Sequence, residues 1–319
     1  MKFTTVFIQR RLVALALLLL IVSFAVFSLL DLSPGSPEEA LLGPEARTNP
    51  ASVEAIREEY HLDQPLLRRY WNWLADVAHL DLGRSTESGE AVTHVIAQRL
   101  VLTTQLGLFA AAIVLLVGVP VGMLAGLRRG SSFDRVVTSA AIFLASAPPF
   151  AVGILLILMF GVWLDWLPPF GVGDGAVDRL RHLVLPALAL ASAALAIVVR
   201  QTRAAALGVI DQDYVLFARA RGLSRRTIFL NYAFHNAALP VVTTVGLLLV
   251  FSLSGAVFVE TVFGLPGVGS LLIESINSRN IPVVQGLTLL TAAIVVLGNL
   301  FTDLLALAID PRTRYAGTA

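Results

Sequence analysis

The chain has 319 residues, of which 56% are apolar and 14% charged, with a net charge of +1 and no cysteine. A surface that apolar cannot face water throughout, so the chain belongs in a lipid bilayer, and its small net charge gives no footing for a nucleic-acid partner. The absence of cysteine excludes thiol chemistry, cysteine metal ligands and disulfides within the chain.

Apolar runs long enough to cross a bilayer core, which takes about 20 residues per helix, predict six spans at 12–30, 100–127, 136–164, 183–199, 237–259 and 283–307, all uncharged except for Asp303 near the cytoplasmic end of the last. Residues 1–11 then form a cytoplasmic N-terminus, 31–99, 165–182 and 260–282 are external loops, 200–236 is a cytoplasmic loop and 308–319 a cytoplasmic C-terminus. Charge sets this orientation. Lys2, Arg10 and Arg11, then Arg128, Arg129 and Arg135, then the arginines from Arg200 to Arg226, then Arg312 and Arg314 all fall on one side. That side is inside by the positive-inside rule. Glu38, Glu39, Glu45, Glu54, Glu58, Glu59 and Asp63 cluster on the other.

Arg10 and Arg11 before the first run give it the flank of a secretory signal. The run is too long for one and no small-x-small cleavage site follows cleanly, so it reads as an uncleaved anchor. In the external loop 31–99, Asn49-Pro50 marks a helix start, and Leu67, Tyr70, Trp71, Leu74 and Val77 recur at helical spacing. That stripe either rests at the lipid interface or packs against the transmembrane bundle. In the second span Gly118, Gly122 and Gly126 repeat every four residues, a helix face that another backbone can approach closely. Pro120, Pro148, Pro149, Pro186 and Pro240 fall in or beside spans, where each can bend its helix.

The loop 200–236 is too polar to span and too long for a turn. It reads as two short helices. The first, through Asp213, Tyr214, Phe217, Ala218 and Arg221, stops at Gly222, and the second, with Arg225, Arg226, Ile228 and Phe229, is capped by Ser224. A basic pair of helices suggests DNA or anionic lipid, but tethering between two spans argues against DNA.

No chemistry competes for the assignment. The only lysine, Lys2, follows no glycine-rich turn, so there is no Walker A loop. His61, His79, His94, His182 and His235 are scattered without acidic or histidine neighbours at ligand spacing, and neither a Gly-x-Ser-x-Gly elbow nor a two-histidine metalloprotease motif occurs. The chain is expected to be neither an enzyme nor a metalloprotein.

DYVLFARARGLSRRTIFLNYAFHNAALPVV, Asp213 to Val242, resembles the EAA loop of binding-protein-dependent ABC permeases, above all the peptide and nickel branch. Matching positions are Asp213, Tyr214, Ala218, Arg219, Ala220, Gly222, Leu223, Asn236, Leu239 and Pro240; Arg221 stands where lysine is common, and Leu216 and Phe217 where polar residues are. The likeness continues through RRLVALALLLLIVSFAVFSLLDLSPGSP, LDQPLLRRYWNWL, LDLGRS, HLVLPALALA and ETVFGLPGVGSLLIESINSRNIPVVQG. It implies an all-α membrane protein of the type I ABC importer permease kind, with six transmembrane helices and cytoplasmic coupling helices, in the bacterial inner membrane. Asp213, Tyr214, Ala218, Arg219, Ala220, Arg221, Gly222 and Leu223 would couple to the ATPase. Glu260, Gly264, Pro266, Gly267 and Gly269 would form the loop facing the binding protein. The partners implied are a second permease, two ATP-binding subunits holding ATP and Mg, and an external solute-binding protein delivering a peptide or similar solute. An ion-gradient-driven transporter, which would place ionisable groups in the membrane, and a membrane scaffold or receptor built on loop 31–99 are the alternatives.

Overall fold

The computed structural model describes residues 2–32, 36–38, 50–210, 212–224, 227 and 255–309. Among them the helices are, in chain order, α1 (Lys2–Phe27), α2 (Leu29–Leu32), α3 (Pro50–Glu59), α4 (Leu66–Ala78), α5 (Val92–Leu127), α6 (Ser132–Ser146), α7 (Pro149–Trp163), α8 (Gly175–Ile210), α9 (Asp213–Ala220), α10 (Gly255–Phe263), α11 (Val268–Asn277) and α12 (Ile281–Ile309). The β structure among the described residues is one isolated antiparallel bridge between Arg84 and Ala91. Three helices, Val92–Leu127, Gly175–Val209 and Ile281–Thr302, are long and apolar enough to cross a membrane, and up to five spans result if the broken pairs α6/α7 and α10/α11 each count once. The apolar part of α1, Arg11–Phe27, is shorter. Residues 237–254 of the expected fifth span lie outside the described residues.

Local chemistry sets several boundaries. Ser131 caps α6, its side chain accepting from the Asp134 amide, and α6 stops at Ala147, which is extended (φ −91, ψ 129) as a residue before proline must be. Pro149 then opens α7 within its first turn. The uncharged run 136–164 is therefore not one rod: α6 and α7 meet at 111°. By contrast Pro186 sits inside an unbroken α8, which starts at Gly175 and continues past Arg200 to Ile210, into the segment expected as loop. A wide π-helical turn, Val114–Gly118, interrupts α5, and a second, Ile157–Trp163, forms the end of α7.

The chain divides into two compact units. In the unit formed by Thr103–Leu265 and Leu297–Ala319, α8 is the central helix. Leu183, Leu185, Ala187, Ala189, Leu190, Ala191, Ala196, Val198 and Val199 are buried along it. Such burial on more than one face marks a helix enclosed by others. Ala141, Ala196 and Val199 form one cluster with Val121, Val137, Leu144 and Leu195, joining α5, α6 and α8.

In the unit formed by Met1–Leu102 and Pro266–Val296, Val92 and Ile96 of α5 pack with Val268 and Leu271 of α11 and Val283 and Leu287 of α12. Gly286 permits this contact, since a Cβ there would lie 2.8 Å from Val92 Cγ1. Asn280 pins the same region, donating to Ser85 Oγ at 2.7 Å and accepting from the Thr86 amide at 3.2 Å. The aromatic stripe of α4 is divided. Tyr70 is buried against α1, its hydroxyl 2.8 Å from Ser23 Oγ and its ring edge-on to Phe24 at 5.2 Å. Leu67 and Trp71 remain exposed.

Candidate functional site

α9 has eight residues, too few to hold a helix in isolation. It forms because one face is anchored. Val215 and Ala218, three residues apart and therefore on one side of the helix, are 0% and 4% exposed, and pack with Met123 of α5 and Ala206 and Val209 of α8. Gln212 leads into it, its Nε2 donating to Gly208 O at 3.1 Å, while the Val215 amide donates to Gln212 O at 3.0 Å. The other side is open: Asp213 and Ala220 are exposed, and Phe217 is 68% exposed.

The helix ends in a glycine turn. The Leu223 amide donates to Ala218 O at 3.2 Å, the long-range bond of a Schellman motif, and Gly222 takes the left-handed conformation, φ +76, that the motif requires. Nothing lies within 4 Å of a Cβ built at Gly222, so the backbone angle rather than crowding selects glycine there. Arg221, Gly222, Leu223 and Ser224 follow in the open. Ser224 Oγ accepts from the Thr227 amide at 3.1 Å, the hydrogen bond of a helix cap. Arg225, Arg226, Ile228, Phe229, Asn236, Leu239 and Pro240 lie outside the described residues, and Tyr214 and Arg219 belong to α9.

Above α9 the three expected glycines face α8. A Cβ on Gly122 would stand 2.5 Å from Val199 O, one on Gly126 2.7 Å from Ala206 Cβ, and one on Gly118 3.0 Å from Leu195 Cδ1. Backbone meets backbone here, in the manner that small residues allow between membrane helices.

Beside this contact, Asp134 of α6 and Arg203 of α8 form a forked ion pair, with Nε to Oδ1 at 2.5 Å and Nη2 to Oδ2 at 2.9 Å. The Gly130 amide adds a bond to Oδ2 at 2.9 Å and Thr138 Oγ1 one to Oδ1 at 3.4 Å. Hydrogen bonding to Arg203, then to the Gly130 amide, holds the Asp134 carboxyl well below the usual carboxylate range, and the same bond raises Arg203. Both groups lie outside the uncharged runs and stay charged at neutral pH. Motif reading missed this pair. Its sequence signal is that Asp134 is the lone acid between Arg99 and Asp165.

The second expected group is split. Glu260 is 0% exposed and accepts from Thr103 Oγ1 at 2.6 Å, so its carboxylate turns inward. Gly264 (φ +61) and Pro266 are exposed, whereas Gly267 and Gly269 are buried. His182 departs from the scattered-histidine picture, with Nδ1 3.6 Å from Asp178 Oδ2 one helical turn back. Among the described residues no group of three potential metal ligands forms.

Comparison with known proteins gives a setting for this helix, which is open on one side and seated against α5 and α8 on the other. The family described as binding-protein-dependent transport system inner membrane component matches residues 118–315, and the N-terminal family of the same membrane components matches residues 4–107. The chain belongs to this family: it is a membrane-embedded permease subunit, non-catalytic, that works with other transporter components such as an ATPase and a substrate-binding protein. A Brucella abortus (strain 2308) protein whose name describes a peptide transport system permease is 38% identical over 98% of this chain and 99% of its own length. The glutathione transport system permease protein GsiC of Escherichia coli (strain K12) is 37% identical over 97% of this chain and 99% of its own length. The inward-facing structure of the MetNI methionine ABC transporter shares the fold, with a TM-score of 0.57 and 18% identity over 68% of this chain and 96% of that one.

Proposed function

We propose that the chain is one of a pair of permease subunits lining the translocation path of an ATP-driven importer in the bacterial inner membrane. Both termini face the cytoplasm, and the cargo is a di- or oligopeptide delivered by an external solute-binding protein. The peptide assignment is supported by the relatives named for peptide and glutathione transport, glutathione being itself a small peptide. The permease partner is a second, similar chain, and two ATP-binding subunits holding ATP and Mg dock below.

The observation that carries the reading is the division of α9. Val215 and Ala218 are buried against α5 and α8 while Phe217, Arg221 and Leu223 are presented outward. Movement of a docked ATPase would reach the membrane helices through the buried face. Asp213, Tyr214, Ala218, Arg219, Ala220, Arg221, Gly222 and Leu223 make up this coupling element, and Gly264 and Pro266 are the exposed part of the loop assigned to the binding protein.

Purification in mild detergent tests the assignment. The wild-type chain should bring its ATPase with it and, once reconstituted, take up labelled peptide only with ATP. Phe217→Glu, which alters an exposed tip, should abolish both without lowering thermal stability. Uptake that collapses with an ionophore and ignores ATP would overturn the reading in favour of an ion-gradient transporter.

A further inference from the structure

Residues three or four apart share a helix face, and by that spacing α4 has three sides. Arg69, Tyr70 and Trp73 turn toward α1 and its exit: Arg69 Nη1 donates to Asp31 Oδ1 at 2.8 Å, and the Tyr70 and Trp73 rings lie 5.7 and 5.4 Å from the ring of Phe27. The remaining surface is exposed and divides by chemistry. Leu67, Trp71, Ala75 and Ala78 form an apolar strip, and Arg68, Asn72, Asp76 and the C-cap residue His79 form a polar strip beside it. Leu67 and Trp71 are 62% and 60% exposed.

Two observations say what covers the apolar strip. The first is depth. The Tyr70 hydroxyl lies 2.8 Å from Ser23 Oγ and 3.3 Å from Leu20 O, and the Tyr70 ring is edge-on to Phe24 at 5.2 Å. Ser23, Phe24 and Phe27 belong to the apolar run of α1, one to two turns before Asp31. α4 therefore crosses α1 at the level of that run and not beyond its end, where lipid is the surrounding medium. The Tyr70 ring also lies 5.5 Å from that of Trp71, so the exposed side of α1 at Phe24 continues onto the strip. The second is charge. Arg68 stands at the border of the two strips, exposed and without a carboxylate partner among the described residues. A long cationic side chain at such a border lays its stem on apolar surface and carries its head to a phosphate.

We propose that α4 is an interfacial helix, with Leu67 and Trp71 seated in the outer leaflet of the bilayer and Arg68 on a phospholipid phosphate. The polar strip then faces water. The inference rests on the reading of α1 as a span whose C-terminal end is external, and is independent of the importer's energy source and cargo.

The chain has no cysteine, so single cysteines give unique sites for spin labels. Leu67→Cys, Trp71→Cys, Asn72→Cys and His79→Cys are labelled in the full-length chain, in nanodiscs of phosphatidylethanolamine and phosphatidylglycerol. Ile21→Cys, at an exposed position of α1, serves as the reference within the span. Collision rates are compared for oxygen, which concentrates in the bilayer, and for a water-soluble nickel chelate. Labels at 67 and 71 should favour oxygen over nickel several-fold, as at 21, and labels at 72 and 79 should reverse that preference. Arg68→Glu, which sets an anion against the phosphates, should raise nickel collisions at 71 several-fold. Nickel access at 67 and 71 equal to that at 72 and 79, with position 21 still shielded, would place α4 in water and overturn the proposal while the span stands. Low rates with both reagents at 67 and 71 would give the strip to a second copy of the chain and overturn it as well. An unchanged label at 71 in Arg68→Glu would overturn the phosphate contact. Nickel access at 21 matching that at 79 would remove the span itself, and the interfacial helix with it.

Discussion

Arg203 holds Asp134 through two parallel hydrogen bonds across 69 residues of sequence, and so fastens α8 to the start of α6. α8 also contributes Ala206 and Val209 to the seat of α9. A push on α9 would therefore reach α6 as well as α8. Only arginine supplies the fork, because lysine is a point charge without the planar pair of donors.

Arg203→Lys is expected to keep the chain folded and to lower ATP-driven uptake more than it lowers ATP hydrolysis. Asp134→Asn should in addition reduce the melting temperature, since it leaves Arg203 without its counter-charge. The pH dependence has a definite sign. The folded-state pKa of Asp134 is depressed, so the pair contributes fully above the unfolded aspartate value of about 3.9 and is lost only as pH falls further, through the folded value. Thermal melts of wild type and Asp134→Asn between about pH 6 and 8 should thus differ by a constant amount. A gap that closes within that range would remove the pair from the coupling base.

Gly222 separates backbone angle from crowding. With φ at +76 and open space around it, a Cβ meets no neighbour but forces an L-residue into the left-handed region, at a cost of about 1–2 kcal/mol. Asparagine tolerates that region better than branched residues do. Gly222→Leu should uncouple ATP hydrolysis from uptake, whereas Gly222→Asn should retain most coupling. Normal substrate-stimulated ATPase activity together with normal uptake in Gly222→Leu would count against α9 as the coupling element.

What the sequence made legible was whatever depends on composition and local backbone chemistry. The apolar runs announce membrane helices, the four-residue glycine period announces a close helix contact, and Gly222 announces a helix end. What stayed hidden depends on tertiary meetings between residues far apart in the chain. Thr103 and Glu260 are 157 residues apart, and nothing local says that Glu260 is buried and bonded to Thr103. The 136–164 run hid its break for a different reason. Hydropathy is blind to the extended conformation that Pro148 imposes on Ala147, and the outcome at Pro186, where α8 continues unbroken, shows that a proline alone does not decide it.

The glycine face of α5 gives a ranked prediction. At Gly122 a methyl would collide with the Val199 carbonyl, a backbone atom that cannot rotate away; at Gly126 it would meet Ala206 Cβ and, at 2.9 Å, Arg203 O; at Gly118 its tightest contact would be the end of the Leu195 side chain, with Val198 at ordinary distance. Overpacking of this kind costs about 1–3 kcal/mol. Alanine variants in nanodiscs should therefore lose melting temperature in the order Gly122, then Gly126, then Gly118. A flat series would mean that α5 and α8 are not held in close backbone contact.

Glu260 and Pro266 should part when stability and docking are measured side by side. Glu260 is buried and bonded to Thr103 Oγ1 at 2.6 Å. Thr103→Val removes that donor while keeping the shape of the side chain. It should cost about 0.5–1.5 kcal/mol, the net worth of one hydrogen bond, and appear as a lower melting temperature with binding-protein affinity unchanged. Pro266 is exposed, so Pro266→Arg should leave the melting temperature alone and weaken binding-protein association in a surface-capture measurement. If Thr103→Val instead weakened that association at full stability, the buried carboxylate would belong to the docking face, and the division of this loop into an internal pin and an external contact would fail.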